Sequence, residues 1–176
     1  MRLLGVIGAL ALALVLQTTV AQLVVRGTGA LDLVLVVVMY VALSYGPTTG
    51  LLAGAAAGLA QDALSTGGVI GIGGLAKTVI GYATGLFGSQ FIVAKALPRF
   101  VVFYIATVVH AAIFMGLYEL LGLREFGLPY SGVLSQALVN AIVGIIAFQA
   151  IELLPGALER RSGHRGGGMH VKRRLD

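Results

Sequence analysis

The sequence predicts an all-α integral membrane protein with six transmembrane helices. Three observations point there. The chain is 58% hydrophobic and only 11% charged, whereas a soluble domain keeps roughly a quarter of its residues charged. Its mean hydropathy is +0.98. Six apolar runs, parted by short segments carrying Gly, Pro or charge, fill most of the 176 residues, and about 20 apolar residues suffice to cross a bilayer. Residues 1–155 therefore read as a single six-helix domain, with 156–176 as a basic cytoplasmic tail. Cysteine is absent, which excludes disulfides, thiolate metal sites and cysteine nucleophiles.

The first helix is expected over Leu3–Val25. Arg2, the apolar run and "TTVAQ" also match a secretory signal with a weak cleavage site. Five more apolar segments follow, which favours a retained helix. The second and third helices are expected over Leu31–Ser44 and Thr49–Ala63, joined at Tyr45-Gly46-Pro47, a turn signal without charge. At ~1.5 Å per residue, each reaches only ~21–23 Å across a hydrocarbon core of ~30 Å. The pair should turn in or near the membrane with its backbone covered by protein; a re-entrant hairpin is the rival reading. The fourth helix is expected over Ile72–Phe87, the fifth over Pro98–Leu121 and the sixth over Ser131–Leu153. Between the fourth and fifth, Ser89–Phe100 interleaves apolar residues with Lys95 and Arg99, a pattern suited to the inner membrane surface.

Charge sets the orientation. Six of the twelve Lys/Arg residues follow Glu159, so the net charge of +5 belongs to a tail. With the N-terminus inside, Arg2, Lys95, Arg99 and those six face the cytoplasm, while Arg26 and Arg124 face outward. This bias places both termini of the multi-pass protein in the cytoplasm. The Gly- and Arg-rich tail reads as disordered and drawn to anionic lipid, with a bare topology signal as the alternative.

Gly50, Gly54 and Gly58 recur every four residues on the third helix, and Lys77, Gly81 and Gly85 do so on the fourth. Small residues let helices approach closely in lipid. The two helices should pack antiparallel along these stripes, with Gly46 and Pro47 at the preceding turn; contact with a partner's membrane helix is the alternative use. Asp62 ends the third helix and Lys77 sits early in the fourth, each on the unfavourable side of its own helix dipole. An Asp62–Lys77 pair is expected from this, against two side chains that reach water separately. Asp32 opens the second helix and Glu119 lies near the outer end of the fifth. Asp32, Asp62, Lys77 and Glu119 are expected to surround one outer polar patch.

The remaining polar residues fit helix packing. Gln17, Thr18, Thr19 and Gln22 cluster on the first helix; Gln136, Asn140 and Gln149 lie on the sixth. A solute path would use the same groups. His110 stands alone near the middle of the fifth helix, where a hydrogen bond across helices is its expected role and proton handling the alternative. No catalytic constellation appears. Ser89 and Ser131 are in no serine-protease motif, and "GVIGIGGLAKT" lacks the phosphate-loop spacing. No metal, cofactor or nucleic-acid signature is present.

The run "LDLVLVVVMYVALSYGPTTGLLAGAAAGLAQDAL", followed by "TGGVIGIGGLAKTVIGYATGLFG", has an acid, an aliphatic stretch with Tyr, Gly-Pro, a glycine stripe and a second acid. In that order it resembles the rod-shape-determining membrane protein family MreD, most strongly over residues 30–90. Asp32, Gly46, Pro47, Gly50, Gly54, Gly58 and Asp62 carry the pattern. The resemblance implies a fold similar to the substrate-binding subunits of energy-coupling-factor transporters. It implies a non-catalytic scaffold of cell elongation that works beside MreC, the actin-like MreB and the RodA–transpeptidase pair that builds lateral peptidoglycan. On that reading it holds MreC's membrane helix and positions or activates the synthase. The competing reading is a substrate-binding membrane subunit of a vitamin or metal transporter. Such a subunit needs a convergent polar pocket, and this chain has no Trp and 7% aromatic residues with which to build one.

Overall fold

Helix is the economical backbone state for so apolar a chain, because it bonds nearly every N–H and C=O within its own segment. The computed structural model describes residues 2–23, 31–65, 69–91, 95–124, 126–127 and 130–163, and contains six helices and no strand among them. They are α1 (Arg2–Leu23), α2 (Leu33–Tyr45), α3 (Pro47–Leu64), α4 (Ile72–Gln90), α5 (Ala96–Leu120) and α6 (Tyr130–Gly163). Residues 1–145 form one packed unit, and 146–176 a second that holds the later part of α6. Arg26, the side chains of Arg2 and Gln22, and residues 164–176 of the tail lie outside the described residues.

Two helices, α5 over Ala96–Leu120 and α6 over Tyr130–Glu152, are long and apolar enough to cross a membrane. The apolar stretches Leu4–Thr19 and Leu33–Tyr45 are shorter. No separate surface segment separates α4 from α5 among the described residues: Ser89 and Gln90 complete α4, and Ala96–Phe100 already belong to α5. At the other end, α6 does not stop at Leu153 but continues through Pro155 to Gly163. Proline lacks an N–H and commonly ends helices. Here the residues beyond it, Ala157, Leu158, Glu159, Arg160 and Arg161, are strong helix formers.

The helix α2 occupies the middle of the first unit. Val34, Leu35, Val36, Val38, Met39, Val41 and Ala42 are all buried, so most of the helix is covered, and Leu33, Val37 and Tyr40 form a half-buried face. It packs on α1, α3 and α4 and touches α5. Leu10 and Ala13 of α1 meet Val34, Val38 and Val41 of α2 and Ala53 and Ala57 of α3 in one apolar cluster.

A single residue joins α2 to α3. Gly46 has φ 91° and ψ 178°, a conformation open to glycine and costly for L side chains. Its N–H donates to the Ala42 carbonyl at 2.9 Å and its carbonyl accepts from Gly50 N–H at 3.0 Å, so one residue bonds both helices. Pro47 follows at the first helical position, where an N–H is not needed.

The α3–α4 pair is the tightest contact. Gly50 meets Gly81, Gly54 meets the main chain of Lys77, Gly58 meets Gly74, and Gly85 meets Pro47 at the turn. Partners climb along α3 as they descend along α4, so the helices run antiparallel. A Cβ added at Gly58 would stand 2.6 Å from the Gly74 Cα, and one at Gly54 would stand 2.7 Å from the Lys77 carbonyl carbon. These obstacles are backbone and cannot swing aside.

Gly54→Ala should therefore lower the thermal midpoint in detergent by several degrees, with an overpacking cost of about 1–3 kcal/mol. Gly8→Ala, where nothing lies within 4 Å of the new methyl, serves as the neutral control. An equal midpoint for both variants would refute the close-packed stripe. At the turn, Gly46→Ala meets open space, so its predicted loss of ~1–3 kcal/mol arises from φ alone. Gly116→Ala also meets open space, but within helical backbone, and should be neutral or stabilising by up to ~1 kcal/mol. Opposite signs in the two melts are the expected result.

Candidate functional site

The first turn of α2 starts in the buried part of the bundle, and its unpaired N–H groups need partners there. The N–H groups of Asp32, Leu33 and Leu35 find side-chain acceptors. Leu33 N–H donates to Gln17 Oε1 of α1 at 2.8 Å, while Gln17 Nε2 donates to the Leu31 carbonyl at 2.8 Å. Asp32 N–H donates to Asn140 Oδ1 of α6 at 3.0 Å. Leu35 N–H donates to Asp32 Oδ1 at 2.9 Å, which makes Asp32 the N-cap.

The other oxygen of Asp32 holds a charge. Lys77 Nζ of α4 lies 2.8 Å from Asp32 Oδ2. Asp32 is 6% exposed and Lys77 3%, so neither is solvated and each requires the other. On its far side Lys77 Nζ stands 3.4 Å from His110 Nε2 of α5. An ammonium has only donors, so this contact needs the neutral imidazole with its Nε2 lone pair toward Lys77. Thr107, one turn before His110, accepts from Asn140 Nδ2 at 3.4 Å and donates to the Phe103 carbonyl at 2.8 Å. Phe103 in turn packs against Gly144 of α6. Thus five helices contribute to one polar cluster: the buried Asp32, Lys77, Thr107 with His110, and Asn140, and the half-buried Gln17.

Asp62 is not the partner of Lys77, contrary to the expectation from its placement. Its Oδ2 accepts from Gly71 N–H at 2.9 Å and from Gly74 N–H at 3.0 Å. Gly71 is the left-handed N-cap of α4, and its side chain-free position offers no cap of its own. The acid at the end of α3 thereby answers the positive end of α4 directly. Glu119 is exposed at the end of α5 and accepts from Phe126 N–H at 3.3 Å. The expected four-residue patch thus resolves into three places: a buried Asp32–Lys77 pair, the Asp62 cap, and a surface Glu119.

Gly46, Pro47, Gly50, Gly54, Gly58, Gly81 and Gly85 all lie at the turn or along the α3–α4 contact. That face is occupied within the chain. The residues that sequence reasoning did not bring together are Gln17, His110, Thr107 and Asn140. A signal was present: each is a polar group in an apolar helix, and such groups usually face the bundle interior. Their common target was not readable.

A family model described as rod shape-determining protein MreD matches residues 1–155. The chain belongs to the MreD family. The match covers every residue of the cluster, and the family assigns the protein a role in determining rod shape. No curated protein and no solved structure is detectably similar. Membrane insertion of this MreD-family chain agrees with the length and apolarity of α5 and α6.

A double-mutant cycle tests the pairing. Asp32→Asn alone leaves a buried ammonium without its counter-charge and should cost about 3–5 kcal/mol. Adding Lys77→Met should restore a substantial part of that loss, with a coupling of at least ~1 kcal/mol. The Asp62→Asn and Lys77→Met pair should be additive within ~0.5 kcal/mol. Unfolding free energies in detergent would give both couplings; the reverse pattern would return Lys77 to Asp62.

Proposed function

We propose that this MreD-family protein is a non-catalytic scaffold of the bacterial cell-elongation machinery. Its six helices cross the inner membrane, and both termini face the cytoplasm, as the excess of Lys/Arg in the loops and tail on that side favours. We take the helix arrangement to be similar to that of the substrate-binding subunits of energy-coupling-factor transporters. The scaffold would bind the membrane helix and adjoining segment of MreC and, directly or through MreC, position or activate the RodA–transpeptidase synthase. The basic end of the chain would rest on anionic lipid.

One observation carries the reading: the polar groups in the bundle are engaged with one another. A solute-binding subunit keeps convergent polar groups available to its ligand. Here Asp32, Lys77, His110, Thr107, Asn140 and Gln17 are already joined in one cluster. Among the described residues, Gln61 Oε1 is the one buried side-chain polar atom without a partner. A cluster closed in this way stabilises a single arrangement of helices, which suits a docking frame for other membrane proteins. The glycine stripe is used by α3 and α4 themselves, so the apolar outer faces remain for partners.

The test is a pull-down of the tagged full chain from native membranes in mild detergent, read by mass spectrometry. Enrichment of MreC and the RodA–transpeptidase pair is the expected outcome. Recovery of paired ATPases with a coupling membrane subunit, and of neither MreC nor the synthase, would replace the scaffold with a transporter subunit.

A further inference from the structure

Between α4 and α5 runs an open groove of about 190 Å³, lined by Ile80, Ala83 and Phe87 on one side and Val102, Ile105 and Ala106 on the other. Phe87 and Ile105 stay largely exposed at its rim, so the groove faces outward rather than into the bundle. The polar cluster holds α5 to α4 at Lys77 and His110. Below that point, toward the end of α4 and the start of α5, the two helices separate enough to leave this space.

The dimensions decide what fits. From Ile80 to Phe87 the groove follows α4 for about 10 Å, and from Val101 to Val109 it follows α5 for about 12 Å. A membrane-crossing partner helix is ~30 Å long and ~10 Å or more across, which is too long and too wide to be seated there. An apolar cavity of ~150 Å³ takes a six-carbon ring, so this space suits the cross-section of a single hydrocarbon chain. Charge selects the class of lipid. Along α5, Lys95 is exposed at the N-cap, one to two turns before Val101, where the groove's lining begins, whereas Arg99 is buried and engaged within the protein. An exposed basic residue at the end of a membrane helix attracts anionic headgroups.

We propose that the α4–α5 groove seats one acyl chain of an anionic phospholipid, with the headgroup phosphate against Lys95. The site requires only that α4 and α5 lie in a bilayer; its assignment to the inner leaflet rests on the topology proposed above. It is separate from the basic tail, and it would give the scaffold a fixed lipid contact beside α5.

The full-length protein, reconstituted in vesicles of equal phosphatidylglycerol and phosphatidylcholine and released into native mass spectrometry, tests it. Phosphatidylglycerol should be retained about fivefold over phosphatidylcholine, the ratio that one surface basic residue supports. Lys95→Glu should abolish the preference while a lipid adduct persists. Ala83→Phe, at an exposed rim position, should remove the adduct with an unchanged thermal midpoint, and Ala106→Phe repeats the test from α5. Equal retention of both lipids, or a full adduct in Ala83→Phe and Ala106→Phe, would overturn the site. So would a photo-crosslinker at Val102 that captures a protein helix rather than lipid in native membranes. Loss of the lipid preference would leave the scaffold role standing, and absence of MreC from the pull-down would leave the lipid site standing.

Discussion

The Asp32 carboxylate serves two demands at once, and much of the first unit is arranged around it. One oxygen closes the first turn of α2, and the other neutralises Lys77. Without the cap, a buried N–H would be unmet at a cost of about 1–3 kcal/mol, and without the pair an ammonium would stand in an apolar bundle at higher cost still. The N–H groups of Leu33 and Asp32 draw in Gln17 from α1 and Asn140 from α6. Helices far apart in the chain therefore converge on a single turn because α2 begins where water cannot serve it.

Close packing of α3 on α4 makes this convergence possible. With Gly54 against its main chain, Lys77 presents its backbone to α3 and its side chain to Asp32 of α2. Any larger residue at Gly50, Gly54 or Gly58 would hold α4 further off and move Nζ away from its partner. Asp62, near the end of α3, contributes by binding the first turn of α4. A short link through Gly46 keeps α2 and α3 adjacent from the start. Apolar side chains fill the space between these contacts, but they do not select the rotation of the helices as a buried charge does.

Such a frame has consequences for a protein of the MreD family. A buried ion pair contributes little net stability compared with an apolar replacement, while breaking it is costly. It therefore favours one arrangement over its alternatives. A scaffold has this need: the outer face must keep its shape while partners come and go. Between α4 and α5, the helices share the Lys77–His110 contact and border an apolar groove.

What the amino-acid sequence determined by itself is local. Apolar runs longer than a turn or two can only be helices in this setting, the Tyr45-Gly46-Pro47 stretch marks a turn, and glycines four apart mark a face for close approach. Asp32 before an aliphatic run reads as an N-cap. The end of the sixth helix was not legible, since good helix formers beyond Pro155 carry α6 past Leu153 to Gly163. Only the tertiary structure decided which acid Lys77 meets, and that Gln17, Thr107, His110 and Asn140 share one cluster. Periodicity fixes which residues lie on one face of a helix. The partner of that face depends on the rotation and depth of each helix against its neighbours, and these are set by packing between segments as far apart as Asp32 and Asn140. Asp62 and Lys77 are closer in the chain, yet the backbone N–H groups at the start of α4 satisfy the acid, and Lys77, a turn deeper, meets the carboxylate of α2 instead.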